Sequence, residues 1–149
     1  MVHDVQKIVV GIDGSDASKQ ALRWAIEEAR VHGASVIALY AWEVPPPVPE
    51  VAPIPTIDPV AFFPELQSAA EKLVTDTVEE VAGGDTSVTV EPVAVEASPA
   101  SALLDAARDA DLVIVGSRGL GGFKALVLGS VSHQVAQHAP CPVVIHRAR

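Results

Sequence analysis

Residues 109–132 read DADLVIVGSRGLGGFKALVLGSVS, and this stretch decides the fold. Leu112 to Val115 form a short, continuous apolar run, which is typical of a strand buried on both faces of a parallel sheet. The run ends in a glycine loop that begins at Gly116, and Gly129 to Ser132 then start a helical stretch that reaches Pro140. The segment therefore offers exposed backbone N–H groups twice, and free N–H groups at a helix N-terminus bind anionic phosphate.

Length and composition limit the class of protein. The chain has 149 residues, 49% of them apolar, which fits a single domain over residues 1–149 with about two thirds of its unfolded surface buried. The formal net charge of −9 opposes binding to nucleic acid or to an anionic membrane, because both need clustered Lys and Arg. No apolar run reaches the length of a membrane span and no signal segment is evident, so we expect a cytoplasmic location.

Strands and helices alternate along the chain. Four further apolar segments are predicted strands, at residues 8–13, 35–41, 88–95 and 143–146. Helical periodicity fills the intervals, with starts at Asp16 or Ser15 and at Ser98, and stops at Gly33 and Gly83. Pro92 interrupts the third strand, which places that strand at the rim of the sheet. This alternation predicts an α/β fold, a three-layer α/β/α sandwich around a five-stranded parallel sheet.

Strand order is not fixed by the alternation itself. We predict the order 3-2-1-4-5, which makes neighbours of the first and fourth strands, the two that end in glycine loops. Open α/β sheets bind ligands in the crevice at such a reversal of strand order. Both glycine loops would then face one site.

A proline-rich stretch separates the second strand from the second helix. Eight of the twelve prolines lie within residues 43–64, and this spacing favours an extended connecting loop, either a lid or a variable surface loop. An alternative interpretation makes residues 45–49 a docking segment for an unknown protein partner.

The glycine spacing distinguishes among phosphate-binding motifs. Gly116-x2-Gly119-x9-Gly129-Ser130 does not match a P-loop, and no GxGxxG follows the first strand. Taken with the sequence GIDGS at residues 11–15, the pattern resembles the universal stress protein family, whose ATP-binding members carry this glycine spacing. The resemblance extends from Ile8 to His146 and implies a Rossmann-like fold of the adenine nucleotide α-hydrolase-like type.

The resemblance implies a set of nucleotide contacts. Asp13 would accept hydrogen bonds from adenosine, or alternatively cap the helix near Ser15, and the backbone at Ala41 would contact adenine. The glycines of the central loop would allow close approach of the ribose and phosphates, and the start of the fourth helix would donate to the β- and γ-phosphates of ATP with Mg²⁺. Arg118 either reaches a phosphate or is solvated. The predicted site residues are Gly11, Asp13, Gly14, Ser15, Ala41, Gly116, Arg118, Gly119, Gly129, Ser130, Val131 and Ser132.

Catalytic and metal-binding patterns are weak. The five histidines include no HExxH motif, and there is no GxSxG elbow for a serine hydrolase. We therefore expect no protein side-chain metal site, no catalytic residues and at most slow ATP hydrolysis. Cys141 lies between two prolines and is interpreted as a packing residue.

Four functional hypotheses remain open from the sequence. The leading one is an ATP-binding, nucleotide-dependent stress sensor, and the resemblance also implies a homodimer, which we place at the apolar C-terminal edge strand. The alternatives are a cyclic-AMP-binding member, a slow ATPase of the same fold, and a partner-binding module without nucleotide.

Overall fold

A computed structural model describes residues 4–45, 59–117 and 128–149 of the chain. The predictions for Arg118, Gly119 and most of the proline-rich stretch lie outside these residues. Within these ranges, no helix combines the length and apolarity needed to cross a membrane.

Five strands alternate with four α-helices, and one 3₁₀ turn over Pro59–Phe62 precedes the second helix. The strands are β1 Lys7–Ile12, β2 Ser35–Trp42, β3 Val90–Glu96, β4 Leu112–Gly116 and β5 Val143–His146. The helices are α1 Asp16–His32, α2 Phe63–Ala82, α3 Pro99–Ala107 and α4 Ser130–His138.

The strands form one parallel sheet in the order β3-β2-β1-β4-β5, which confirms the predicted fold and strand order. Side chains that alternate along β1 enter two separate cores. Ile8 and Val10 pack with residues of α1 and α2, and Val9 packs with residues of α3 and α4. The sheet is therefore the middle of three layers, as expected for a doubly wound fold.

Helix boundaries follow the capping residues. The Ser15 side chain accepts a hydrogen bond from the Ser18 N–H and caps α1, which ends at Gly33 with a φ of 67°. Ser98 caps α3 in the same way, with Pro99 in the first turn. These residues are the ones predicted to start and stop the helices, and local chemistry therefore sets the boundaries.

The proline-rich connection ends earlier than predicted. Pro59 begins the 3₁₀ turn and Pro64 lies in the first turn of α2, so the prediction of an irregular loop to residue 64 is wrong at its C-terminal end. Proline is tolerated at this point because the first helical turn does not use its backbone N–H groups. Further along α2, Ala70 and Val74 are buried, whereas Ala69 is exposed.

The outer edge of β3 is interrupted by proline. Val36 N–H donates to the Thr89 carbonyl at 2.9 Å, and Ala97 N–H donates to the Trp42 carbonyl at 3.0 Å. Because parallel ladders bond through alternate residues, the odd-numbered residues of β3 face β2, and Pro92 belongs to the outward-facing set. Pro92 therefore removes an N–H from the outer edge, which is where a strand tolerates proline.

The opposite edge, β5, has no such interruption. Val113 N–H donates to the Pro142 carbonyl at 3.0 Å, and Ser117 N–H donates to the His146 carbonyl at 2.9 Å. The same alternation turns the N–H groups of Val143 and Ile145 away from β4. All four β5 side chains are partly buried. The two borders of the sheet therefore differ, one blocked by proline and one open to pairing.

Candidate functional site

The strands that lead into the two glycine segments end at one edge of the sheet. β1 and β4 are parallel neighbours, with Ile8, Val9 and Val10 in register with Leu112, Val113 and Ile114. Their carboxyl ends consequently reach the same edge, where the chain passes from β1 into α1 and from β4 toward α4. Strand order reverses between these two strands, as predicted from the sequence, and a ligand site at this position stays a prediction.

Asp13 and Ser15 form a compact turn at the end of β1. The Ser15 N–H donates to Asp13 Oδ1 at 2.9 Å, and the Ser15 hydroxyl donates to the same oxygen. The Ser15 oxygen in turn accepts the Ser18 N–H at 3.2 Å. Asp13 thus supports the helix cap by orienting Ser15, which is close to the structural alternative predicted for it. Its contact with adenosine stays a prediction.

Gly11, within β1, and Gly14, in the turn that follows it, have different reasons to be glycine. A Cβ at Gly11 would lie 3.2 Å from Leu103 Cδ1 and 3.6 Å from Val115 Cγ1, so Gly11 allows α3 to pack closely on the sheet. Gly14 has a φ of 82°, a left-handed backbone conformation that is unfavourable for residues with a Cβ atom. The packing role of Gly11 was missed from the sequence because nothing local reveals Leu103 as its neighbour.

Ala41 lies beside the first turn. Ile12 of β1 is in register with Tyr40 of β2, and Asp13 and Ala41 each follow one residue later. The Ala41 side chain is partly buried on the α3 side of the sheet. The structure therefore brings Ala41 to the edge at which β1 and β4 end, and its contact with adenine stays a prediction.

The second turn is held closed at its two ends. The Gly129 N–H donates to the Ser117 carbonyl at 2.7 Å. The Ser132 hydroxyl lies 3.1 Å from that same carbonyl oxygen and 3.0 Å from the Gly129 carbonyl. Ser132 is 2% exposed. We had expected its hydroxyl to donate to a phosphate, but the contacts of this hydroxyl are within the protein.

Backbone donors remain at the start of α4. The first helical hydrogen bond runs from the His133 N–H to the Gly129 carbonyl at 3.0 Å, and no side chain caps the helix. The N–H groups of Ser130, Val131 and Ser132 precede this bond and therefore have no acceptor within the helix. They lie at the positive end of the helix dipole, where an anion is stabilised.

Side chains suited to metal or thiol chemistry are sparse around the crevice. Over residues 4–45, 59–117 and 128–149, no three His, Cys, Asp or Glu side chains cluster in a way that could hold a metal ion. Burial, followed by the charge of Asp111, raises the pKa of the Cys141 thiol. Cys141 is therefore protonated at neutral pH, in keeping with a packing role.

The fold is a doubly wound α/β domain whose strand order reverses between β1 and β4, the position at which such folds bind ligands. The universal stress protein family profile matches residues 4–147. The chain belongs to the universal stress protein family.

The sequence matches to curated relatives extend over nearly the whole of this chain. A universal stress protein of Mycolicibacterium smegmatis is 37% identical over 142 residues, which are 95% of this chain and 46% of the relative. A universal stress protein of Thermus aquaticus is 37% identical over 146 residues, 94% of this chain and 97% of the relative. The chain thus spans about half the length of the first relative and nearly all of the second.

Solved structures share the fold. The universal stress protein UspA from Lactobacillus plantarum superposes with a TM-score of 0.78 at 24% identity, covering 98% of this chain and 100% of that one. A universal stress protein crystallised in complex with cAMP superposes with a TM-score of 0.70 at 26% identity, covering 97% of this chain and 98% of that one.

Proposed function

We propose that this chain binds an adenine nucleotide in the crevice between β1 and β4 and regulates a stress response according to nucleotide occupancy. The observation that supports this most directly is that the carboxyl ends of β1 and β4 lie together at the reversal of strand order, with the uncapped N-terminus of α4 hydrogen-bonded to Ser117 at the end of β4. A relative of the same fold that binds cAMP gives further support.

ATP is the ligand we favour. The backbone N–H groups of Ser130, Val131 and Ser132 suit a polyphosphate, since amides at a helix N-terminus bind anions without a positively charged side chain. Mg²⁺ would be held mainly by phosphate oxygens and water, which is the usual mode for a magnesium nucleotide. In this proposal the remaining predicted contacts of Asp13 and Ala41 are with the nucleoside.

Cyclic AMP is the second candidate, because a 26% identical relative was crystallised with it. A cyclic phosphate carries one negative charge and needs fewer donors than a triphosphate. ATP and cAMP therefore differ in how strongly their binding should depend on the start of α4. This difference can be measured directly.

We propose a binding protein rather than an efficient enzyme. Hydrolysis of a γ-phosphate is accelerated by a group that orients or deprotonates the attacking water. Asp13, the carboxylate placed at the crevice, already accepts two hydrogen bonds from Ser15 through one oxygen. We therefore expect any hydrolysis to be slow and incidental to regulation.

The homodimer is proposed to form through β5. The β3 edge is blocked by Pro92 and carries Glu91 and Glu96, whereas β5 presents Val143, Val144 and Ile145 without a charge. An uncovered apolar edge of this kind favours pairing with a second copy. An Ile145→Pro variant should be a folded monomer by sedimentation velocity, because proline removes an outward N–H. A dimeric Ile145→Pro protein would contradict the β5 interface.

The nucleotide site is tested by calorimetric titration of ATP, ADP and cAMP into wild type and Gly129→Val. Gly129 has a φ of −70° and a ψ of 168°, which valine can adopt, so the substitution adds bulk without requiring a left-handed backbone. Gln134→Val, at an exposed position of the same helix, is the matched control.

We expect Gly129→Val to weaken ATP binding at least about tenfold, and cAMP binding less, with the control close to wild type. Gly129→Val binding as tightly as wild type would place the site elsewhere. Wild type that is purified empty and binds none of the three nucleotides would leave the partner-binding module as the function. Steady turnover of ATP that Asp13→Ala abolishes would favour the ATPase.

Cellular location and partner complete the proposal. We expect the chain in the cytoplasm, where ATP is available, and expect its unknown protein partner to distinguish nucleotide-bound from empty protein. Cell fractionation and crosslinking with and without ATP test both statements. Recovery in a membrane or exported fraction would contradict the location.

A further inference from the structure

The Ser117 carbonyl oxygen lies between the end of β4 and the start of α4. It accepts the Gly129 N–H at 2.7 Å, and the Ser132 hydroxyl lies 3.1 Å from it. Ser117 is itself held from the other side, since its N–H donates to the His146 carbonyl of β5 at 2.9 Å. The backbone N–H and carbonyl of one residue, Ser117, thus connect the sheet to the first turn of α4.

The Ser132 hydroxyl has no access to a ligand in this arrangement. The residue is 2% exposed, and the hydroxyl has one hydrogen and two carbonyl oxygens, of Ser117 and Gly129, within 3.1 Å. Whichever oxygen receives the hydrogen, the donor is used inside the protein. Ser130, two residues earlier at the same helix end, is exposed, in contrast to the buried Ser132.

Resting on the proposed nucleotide function, we propose that Ser132 is a positioning residue that fixes the N-terminus of α4 against β4 and does not touch the phosphate with its hydroxyl. The clamp of Ser117, Gly129 and Ser132 holds the backbone N–H groups of Ser130 and Val131 at the sheet edge before ligand arrives. Such preorganisation raises the affinity for the nucleotide, because the donors are already ordered before binding and no free energy is lost in ordering them.

The experiment combines amide hydrogen exchange with nucleotide titration on Ser132→Ala, Ser132→Thr and Val135→Ala. Threonine keeps a hydroxyl that can reach the carbonyl one turn back, so it serves as the conservative rescue. Val135 is fully buried in α4, so Val135→Ala weakens the packing of the same helix without removing a clamp hydrogen bond. The probe nucleotide is ATP.

In nucleotide-free protein, we expect the Gly129 amide to be protected, and Ser132→Ala to increase its exchange rate by about tenfold. ATP binding should weaken by about tenfold in the same variant and return to within about threefold of wild type in Ser132→Thr. Val135→Ala should lower the unfolding temperature while leaving both readings near wild type.

Three results would overturn the proposal. A Gly129 amide that exchanges freely in wild type would show that the clamp does not exist in solution. Ser132→Ala that weakens ATP binding without changing Gly129 exchange in nucleotide-free protein would make Ser132 a direct phosphate contact. Equal losses of affinity in Ser132→Ala and Val135→Ala would reduce its role to general packing. If wild type binds no nucleotide, the proposed function fails, and the exchange measurements still decide whether the clamp forms.

Discussion

Asp111 and Lys7, 104 residues apart in sequence, bind each other at the amino edge of the sheet. The Asp111 carboxylate accepts the Lys7 N–H at 3.0 Å and the Gln6 N–H at 2.9 Å, and the Asp111 N–H donates to the Lys7 carbonyl at 2.9 Å. Asp111 thereby aligns the beginnings of β1 and β4, the two strands whose other ends form the candidate site.

Removing this carboxylate should weaken the fold and leave the site intact. We expect Asp111→Ala to lower the free energy of unfolding by about 1–2 kcal/mol, because two backbone N–H groups lose a charged acceptor at an exposed position. Denaturant unfolding measures the loss. ATP affinity should stay within about twofold of wild type, since the proposed nucleotide site is at the opposite edge. A large loss of affinity in a folded variant would contradict the assigned location.

Gly14 and Gly33 offer a matched pair of left-handed positions. Their φ angles are 82° and 67°, and among the described residues, chain neighbours apart, no atom lies closer than 3.8 Å to a Cβ built at either position. Alanine at each position should therefore cost about 1 kcal/mol of stability from backbone strain alone. We expect only Gly14→Ala to weaken ATP binding as well, because Gly33 caps the far end of α1. Equal ATP affinities of the two variants would exclude Gly14 from the site.

Pro92 should prevent the β3 edge from pairing with other chains. Pro92→Val restores an outward N–H and adds a β-branched side chain, and both changes favour strand addition. In an Ile145→Pro background, which removes β5 pairing, we expect Pro92→Val to increase self-association in sedimentation velocity. Pro140→Val, at an exposed proline outside the strands, is the control. Unchanged monomer content in Pro92→Val would show that β3 is protected in another way.

Asp85 connects the α2–β3 turn to α1 and should contribute to stability only while it is ionised. The Ser87 hydroxyl and N–H, and then the Arg30 guanidinium, lower the pKa of Asp85 to about 2 from an ordinary 3.8. A group whose folded pKa is lowered stabilises the protein above its unfolded pKa, and the contribution disappears as pH falls through the folded value. The difference in unfolding free energy between wild type and Asp85→Asn should be constant above pH 3.8 and shrink toward pH 2. A pH-independent difference would contradict the ion pair and hydrogen bonds as its cause.

The arrangement of strands and helices was predictable because it depends on local signals. Buried strands such as 112–115 are continuous apolar runs, and Ser15, Gly33 and Ser98 mark helix ends by capping chemistry that acts over three or four residues. Strand order followed from requiring two glycine loops to share one crevice. Pro64 misled the prediction because proline both excludes helix interiors and suits helix starts.

The partners of polar side chains could not be predicted in the same way. Ser132 is two residues from the exposed Ser130, and only the position of the Ser117 carbonyl, 15 residues earlier, determines that its hydroxyl is buried. Gly11 looked like a ligand-loop glycine, yet its closest constraint is Leu103 on another element. Such contacts are set by tertiary packing, and glycine and serine spacing contains no signal for them.

The short hydrogen bond from Gly129 to Ser117 means that the chain leaves the sheet and returns to it at nearly one point. The hydrogen bond fixes the distance between these two residues for a connection of any length. The entropic cost of closing a loop rises only slowly as the loop becomes longer. For protein design, Ser117 and Gly129 offer a fixed pair of attachment points, one on the central strand and one at the fourth helix, to which a foreign sequence could be grafted.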